Sequence, residues 1–324
     1  MKKHIYGPVL LVLLSGSLCC GSASAAVKEA TKAEILDLQD NIAAAGAGWV
    51  AGETEVSDAE NAELTGLSLS PVKGPLAPEV SEKGLPPAFD WRSAGGNFVT
   101  PARSQKKCGS CWAFAMTGAL ESYVLRNGNT PGADVDLSEQ VMLSCSGAGS
   151  CKGGALYPSY LKSTGLPPEA AYPYAAVNGS CSAAAAGWQS LVYKIADWGV
   201  VAGGSSARLK AALVKYGPLT TSMLVYEDFK HYKSGVYSRV SGKYAGGHAV
   251  LLVGYNDAEE YFIVKNSWGP AWGEEGFFRI AYSEMRSRVF FGGLYSVAYY
   301  SGGKSDEKLD QRILEEADSL MRGR

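Results

Sequence analysis

The run Gln105-Lys106-Lys107-Cys108-Gly109-Ser110-Cys111-Trp112-Ala113-Phe114-Ala115 sets a glutamine and two cysteines at the head of a segment whose apolar residues recur at helical spacing. Trp112, Ala115, Met116, Ala119, Leu120 and Tyr123 fall on one face, and Arg126, Asn127 and Gly128 supply a basic last turn and a stop. A cysteine at that N-terminus meets outward-pointing N–H groups, which favour thiolate over thiol. Such a thiolate is an activated nucleophile that still needs a base, a group to orient the base and a donor for the oxyanion.

Beyond residue 25 the chain has two histidines, His231 and His248. His231 lies between Lys230 and Lys233 and reads as an exposed surface residue. His248 follows Gly246-Gly247 and leads into the apolar run 249–255, so it stands at the mouth of a buried strand. A spare thiol calls for a partner that titrates near neutrality, which makes His248 the base. Asn266, at the end of the strand-like run 261–265, is placed to fix the ring's tautomer without adding a competing charge. Trp268 would shield that hydrogen bond from water. Gln105 precedes Cys111 by one short loop, so its side-chain NH₂ and the Cys111 backbone N–H can face one developing oxyanion.

These residues need elements to hold them. Helical patterns run over 34–45, from the opening run to Gly128, over 139–145 and over 206–216, the last stopped by Gly217-Pro218. After Gly217 the character changes to β-branched and aromatic runs at 219–226, 249–255, 261–265, 276–282 and 293–300. A helical first half and a strand-rich second half imply an α+β protein of two lobes, with the site in the cleft between them.

With 324 residues and 46% apolar composition the chain can bury a large core. Its 30 basic and 32 acidic residues give a net charge of −2, no footprint for nucleic acid. Lys2, Lys3 and His4, the apolar run 9–14 trailing to Leu18, and Ala23-Ser24-Ala25 read as an export signal over 1–25. That run is short of a bilayer span, so no stable membrane insertion is expected once it is cut. Cleavage leaves Cys108, Cys111, Cys145, Cys151 and Cys181, an odd number whose natural partition in an oxidising compartment is two disulfides and one free thiol. No Cys/His quartet points to a metal, and no cofactor is called for. A thiol-disulfide oxidoreductase built on Cys108-Gly109-Ser110-Cys111 remains a rival on these residues alone.

Residues 26–84 hold an apolar stripe of Ile35, Leu38 and Ile42, too little for a core of their own, so the segment should dock on the rest. It ends in a Pro/Gly-rich connector, 71–87, suited to proteolytic processing. Residues 301–324 form a charged tail with a weak helical stripe.

The arrangement resembles the papain family of cysteine peptidases, whose Cys-Gly-[Ser/Ala]-Cys-[Trp/Tyr] run precedes a histidine and an asparagine by roughly 130–150 residues. Phe89-Asp90-Trp91-Arg92 is similar to that family's mature N-terminal segment, Leu137-Ser138-Glu139-Gln140 to its second helix and Cys151-Lys152-Gly153-Gly154 to its substrate loop. Gly247-His248-Ala249-Val250 and Asn266-Ser267-Trp268 resemble its base and orienting segments.

The resemblance implies a papain-like fold over 85–300, a helical left lobe and an antiparallel β-barrel right lobe. It implies disulfides Cys108–Cys151 and Cys145–Cys181, with Cys111 free. Gly153 and Gly154 would pair with an extended peptide. Ala155, Leu156, Gly247 and Val297 would line an apolar pocket for the second residue upstream of the cut, with Trp268 beside the cleft. Segment 226–248 is nearest the cathepsin B branch, but the stretch after Gly154 has no histidines and no room for that branch's occluding loop, which argues for endopeptidase action.

Segment 41–69, including Trp49-Val50-Ala51-Gly52, resembles that branch's short inhibitory propeptide, which implies that residues 26–84 cover the cleft until cut near 83–85. The expectation is a zymogen acting on peptide or protein substrates, secreted, periplasmic or in a lysosome-like compartment. A peptide ligase or transpeptidase on the same site, and a non-catalytic papain-fold binding protein, are the alternatives.

Overall fold

The computed structural model describes residues 28–301. The export signal over 1–25 and the charged tail beyond Ser301 lie outside the described residues. The first element, α1 (Glu29–Ala45), buries Ile35, Leu38 and Ile42 along one side and ends at Gly46 in the left-handed conformation that glycine tolerates. β1 (Trp49–Ala51) and the single turn α2 (Asn61–Leu64) follow, and α2 opens on a reciprocal capping box between Glu60 and Glu63. After β2 (Ala88–Asp90) comes the long helix α3 (Cys111–Gly128), then α4 (Glu139–Cys145), started by Ser138 accepting from the Val141 N–H.

A two-strand ladder, β3 (Gly149–Ser150) with β4 (Gly153–Gly154), precedes α5 (Pro158–Ser163) and β5 (Asp197–Ala202). α6 (Ser206–Tyr216) leads into β6 (Leu219–Tyr226), β7 (Tyr232–Tyr237) and β8 (Tyr244–Asn256). β9 (Tyr261–Lys265), β10 (Phe277–Ala281) and β11 (Tyr295–Tyr300) complete the chain's order.

α3 is buried nearly all round, not on one face: Ala113, Phe114, Thr117, Gly118 and Glu121 are as enclosed as Trp112, Met116 and Leu120. It lies between α4 on one side and strands β6, β8 and β11 on the other. Its N-terminal residue therefore opens where the two halves meet.

The strands pair in the order β1-β7-β10-β9-β8-β6-β11-β5, with β2 added to β8. All pairs are antiparallel except β7 with β10. This corrects the expected antiparallel barrel, because the path is open at both ends among the described residues. Each end is covered by chain from the N-terminal segment. β1 takes the outer edge of β7, and Leu76 bridges Val200 on β5, with the Val200 N–H donating to the Pro75 carbonyl and its carbonyl accepting from Ala77, both at 2.8 Å.

Two apolar clusters hold the molecule. One gathers around Trp112, Met116 and Leu120, the other around Phe229, Trp268, Trp272 and Phe278. Leu38, Ile42, Trp49 and Leu64 belong to the second cluster. Trp49 meets Tyr237 edge-on, ring centroids 5.2 Å apart. The segment's apolar stripe thus acquires its core from the sheet.

His231 departs from its reading as an exposed residue. It is buried under the N-terminal segment, Nδ1 3.0 Å from Ser57 Oγ and Nε2 3.5 Å from Glu34 Oε1. Burial, helped by neighbouring Lys230 and opposed by Asp58, lowers its pKa from 6.5 to about 4. Flanking lysines signalled solvent, but they could not reveal that residues from another part of the chain would cover the ring.

Candidate active site

Cys111 is the first residue of α3 and the one free cysteine among the described residues. Cys108 is joined to Cys151 and Cys145 to Cys181. The first of these bridges anchors the loop before α3 to the β3–β4 ladder, where the Gly109 N–H also donates to the Cys151 carbonyl at 2.8 Å. The backbone of Ala249, the residue after His248, hydrogen-bonds the Cys111 thiol, which brings the head of α3 against β8.

His248 and Asn266 come from neighbouring strands, β8 and the end of β9, and His248 Nε2 lies 2.8 Å from Asn266 Oδ1. Oδ1 also accepts from the Ser267 N–H at 2.8 Å, so it is the amide oxygen that faces the ring. An amide oxygen can only accept. Nε2 must then carry a hydrogen, and Nδ1, which has no hydrogen-bond partner among the described residues, is left with its lone pair. Trp268 covers the pair, its ring 5.1 Å from the imidazole centroid. Lys265, the residue before Asn266, is pinned inside, donating to Thr100 Oγ1 at 2.8 Å with Glu121 3.9 Å away.

Gln105 is fully buried. Ser267 Oγ donates to its Oε1 at 2.6 Å, which turns Nε2 outward as the donor. Nε2 in turn donates to the carbonyls of Cys108 and Glu63, both at 2.9 Å. The role of Ser267 was not read from the sequence, although its place between Asn266 and Trp268 marked the segment.

A short piece of the N-terminal segment lies over all of this. The Trp268 indole N–H donates to the Leu64 carbonyl at 3.0 Å. The N–H groups of Gly66 and Leu67 both donate to the Gly247 carbonyl at 2.9 Å. Gly154 donates to the Gly66 carbonyl at 2.8 Å and accepts from Ser68 at 2.7 Å, so Leu67 and Gly154 form a parallel bridge. Gly66 is required here: its φ is +152°, and a Cβ would lie 2.2 Å from the Gly109 carbonyl oxygen.

The cover changes the chemistry beneath it. Cys111 and His248 are wholly excluded from solvent. Burial pushes the Cys111 thiol up to about 12, although backbone hydrogen bonds from Ala249, Trp112 and Leu67 act the other way. Burial likewise lowers His248 to about 4 against the opposing Asn266 hydrogen bond. The thiolate favoured by a helix N-terminus is thus not the state of this covered form, because desolvation outweighs the helix field. Thiol and imidazole both stand neutral.

Of the residues proposed to touch substrate, Gly153, Gly154, Ala155 and Gly247 line one cleft cavity of about 670 Å³, together with Thr65, Gly66, Leu67 and Ser68 of the covering segment. Leu156 and Val297 lie deeper, in the apolar cluster that also takes in Leu67.

The free cysteine at a helix start and the His–Asn pair make this the candidate site, and comparison with known proteins gives the family. Residues 85–290 match the model of the papain family cysteine proteases. The chain belongs to the papain family.

A cathepsin L-like proteinase of Fasciola hepatica is 38% identical over 228 residues, covering 68% of this chain and 66% of that protein. The chain thus spans just under two thirds of that curated relative's length. A cathepsin B-like protein of Giardia intestinalis, CP3, is 38% identical over 217 residues, 62% of this chain and 71% of the relative. Among solved structures, the digestive procathepsin L2 proteinase of Tenebrio molitor superposes with a TM-score of 0.70 at 26% identity, covering 86% of this chain and 95% of that one.

Proposed function

We propose that this chain is the precursor of an exported cysteine endopeptidase, with a signal over 1–25, an inhibitory propeptide over 26–84 and the peptidase over 85–300. One observation carries the reading. The free thiol at the head of α3 is hydrogen-bonded by the backbone of Ala249, next to His248 of the His248–Asn266 pair, and lies beneath a segment held by Gly154, Gly247 and Gln105.

In the uncovered enzyme, water returns to the cleft and the helix N-terminus again favours thiolate. The Cys111 proton passes to Nδ1 of His248, the nitrogen that Asn266 leaves free. Sγ attacks the peptide carbonyl carbon, and the resulting oxyanion takes hydrogen bonds from Gln105 Nε2 and the Cys111 backbone N–H. As the C–N bond breaks, His248 returns its proton to the leaving amine, leaving a thioester on Cys111. Water, deprotonated by His248, attacks the thioester and restores the thiol. Asn266 holds the ring in the tautomer that serves each step.

Peptide is held by Gly153 and Gly154 through backbone pairing, as Gly154 holds the covering segment, and its side chain two residues upstream of the cut enters an apolar pocket formed by Ala155, Leu156, Gly247 and Val297. That lining argues for a hydrophobic residue there. Leu67, an apolar side chain buried in the same cluster, supports this preference. Among the described residues no helix is long and apolar enough to cross a membrane. Export rests on the leader's composition.

The test is peptide hydrolysis by the activated protein and by its Cys111→Ala variant on a peptide library. The variant should lose turnover, and the wild type should select apolar residues at the second position upstream of the cut. Hydrolysis unchanged in Cys111→Ala would remove the nucleophile assignment.

A further inference from the structure

Tyr174 lies in the irregular stretch before Cys181 and has no part in the chemistry assigned so far. Its hydroxyl nevertheless touches both ends of the loop that carries the oxyanion donors. It donates to the backbone carbonyl of Gln105 at 2.9 Å, and it lies 2.7 Å from Ser110 Oγ.

The direction of this chain of bonds follows from what each group can do. A carbonyl only accepts, so the single phenol proton goes to Gln105; the Ser110 hydroxyl then has two acceptors, the Tyr174 oxygen at 2.7 Å and the Cys108 carbonyl at 3.4 Å, and the shorter contact takes its proton. The result is one polarised relay: the Ser110 O–H donates to the Tyr174 oxygen, and the Tyr174 O–H donates to the Gln105 carbonyl. Burial raises the phenol's pKa, which keeps that proton in place.

The two anchors stand at positions that matter. Gln105 supplies the side-chain donor, and Ser110 immediately precedes Cys111, whose N–H is the backbone donor. Between them the loop turns through Lys106 in the left-handed region, at φ 50°. That conformation is unfavourable for a lysine and holds only while its surroundings impose it. Tyr174 is well placed to impose it. Its ring meets Phe114, one turn into α3, edge to face with centroids 4.8 Å apart. Its own N–H donates to the Glu169 carboxylate at 2.6 Å, and the next N–H, of Ala175, donates to Gln140 Oε1 at 2.9 Å.

We infer that Tyr174 is a positioning residue for the oxyanion site, a hydroxyl tie that sets the spacing between the Gln105 amide and the Cys111 N–H. The inference rests on the reading of Cys111 and Gln105 as an acyl-transfer site.

The experiment compares two reactions of Cys111 in the activated enzyme. Amide hydrolysis passes through an oxyanion, whereas alkylation by iodoacetamide displaces iodide and forms none. Tyr174→Phe keeps the ring and removes the tie. It should lower kcat about tenfold with KM unchanged while leaving the alkylation rate as in wild type. Ser110→Ala, which removes the proton donated into Tyr174, should show the same split, and it decides the matter if Tyr174→Phe does not fold. Hydrolysis at the wild-type rate would overturn the inference. So would equal losses in hydrolysis and alkylation, which would mean damage to the nucleophile or the fold. A wild-type enzyme that is alkylated yet hydrolyses no peptide would instead sink the acyl-transfer reading, and this inference with it.

Discussion

The side-chain amide of Gln105 donates to the backbone carbonyl of Glu63, 42 residues earlier in the chain, at 2.9 Å. A neutral carbonyl oxygen therefore occupies the donor that the proposed mechanism reserves for an oxyanion. Gln105→Ala in the activated enzyme should lower kcat by about 10²–10³ with a small change in KM, since the bond matters most when negative charge is on the oxygen. Steady-state kinetics on one peptide substrate checks this.

Gly66 carries the cover past Gly109 with no room for a side chain. Gly66→Val should loosen the segment, because a Cβ meets backbone that cannot yield and the φ of +152° is strained for any other residue. The uncut precursor, kept intact by a protease inhibitor without action on thiol enzymes, should show at least about tenfold more peptide hydrolysis than the unsubstituted precursor, a shift of roughly 1.4 kcal/mol in docking. Equal activity would mean that the contact at Gly109 does not hold the cover shut.

His231 gives docking a dependence on acidity. In the docked state its pKa lies at about 4, below its ordinary 6.5, so the neutral ring is favoured. Docking free energy contributed by the ring is fully present above pH 6.5 and is lost as pH falls from there toward 4. The groups facing it are the Ser57 hydroxyl, the Glu34 carboxylate, Lys230 and Asp58. His231→Gln, which does not titrate, should make release of the covering segment less steep in pH between 6.5 and 4.5. Release of that segment followed by gel at fixed times over that range reads the effect, and an unchanged profile would assign the acid response to other groups.

The Cys145–Cys181 bridge ties α4 to the stretch 167–186, across a separation of 36 residues. Replacing both cysteines by serine should lower stability by about 2–4 kcal/mol, read as a reduced denaturation midpoint. The same change frees the stretch that holds Tyr174, so the double variant should also lose kcat.

The site was more legible in the sequence than its covering. Cys111 opens α3 and Asn266 follows the end of β9, so a turn or a change of periodicity marks each; His248, read at the mouth of a strand, lies inside β8, which begins earlier at Tyr244, and the glycines before it drew the eye. Gln105 was visible through its distance from Cys111. By contrast, β5 and β7 were not read as strands. β7 spans Lys233-Ser234-Gly235, whose polarity reflects pairing with β1 and β10 more than an apolar face.

The burial of His231 and the tie through Tyr174 were invisible for a related reason. Each depends on a partner far along the chain, Ser57 or Gln105, and local pattern carries no record of such partners. α3 showed only one apolar face because its second face sets Phe114 among small residues and a buried Glu121, types that periodicity counts as polar or neutral.

The connector is exposed at Ser81, Glu82, Lys83 and Gly84, just beyond the point where Tyr216 Oη donates to the Pro78 carbonyl at 2.6 Å. A single scission there removes none of the contacts that hold Leu67, Trp49 or Leu76 in place. What it removes is tethering. Before the cut, the cover competes for the cleft at the millimolar effective concentration of an attached ligand; afterwards it is a free peptide at whatever dilution surrounds the enzyme. On the proposed reading of this segment as an inhibitory propeptide, activation by one nick is a matter of volume, and a nicked but concentrated sample should remain inhibited until it is diluted.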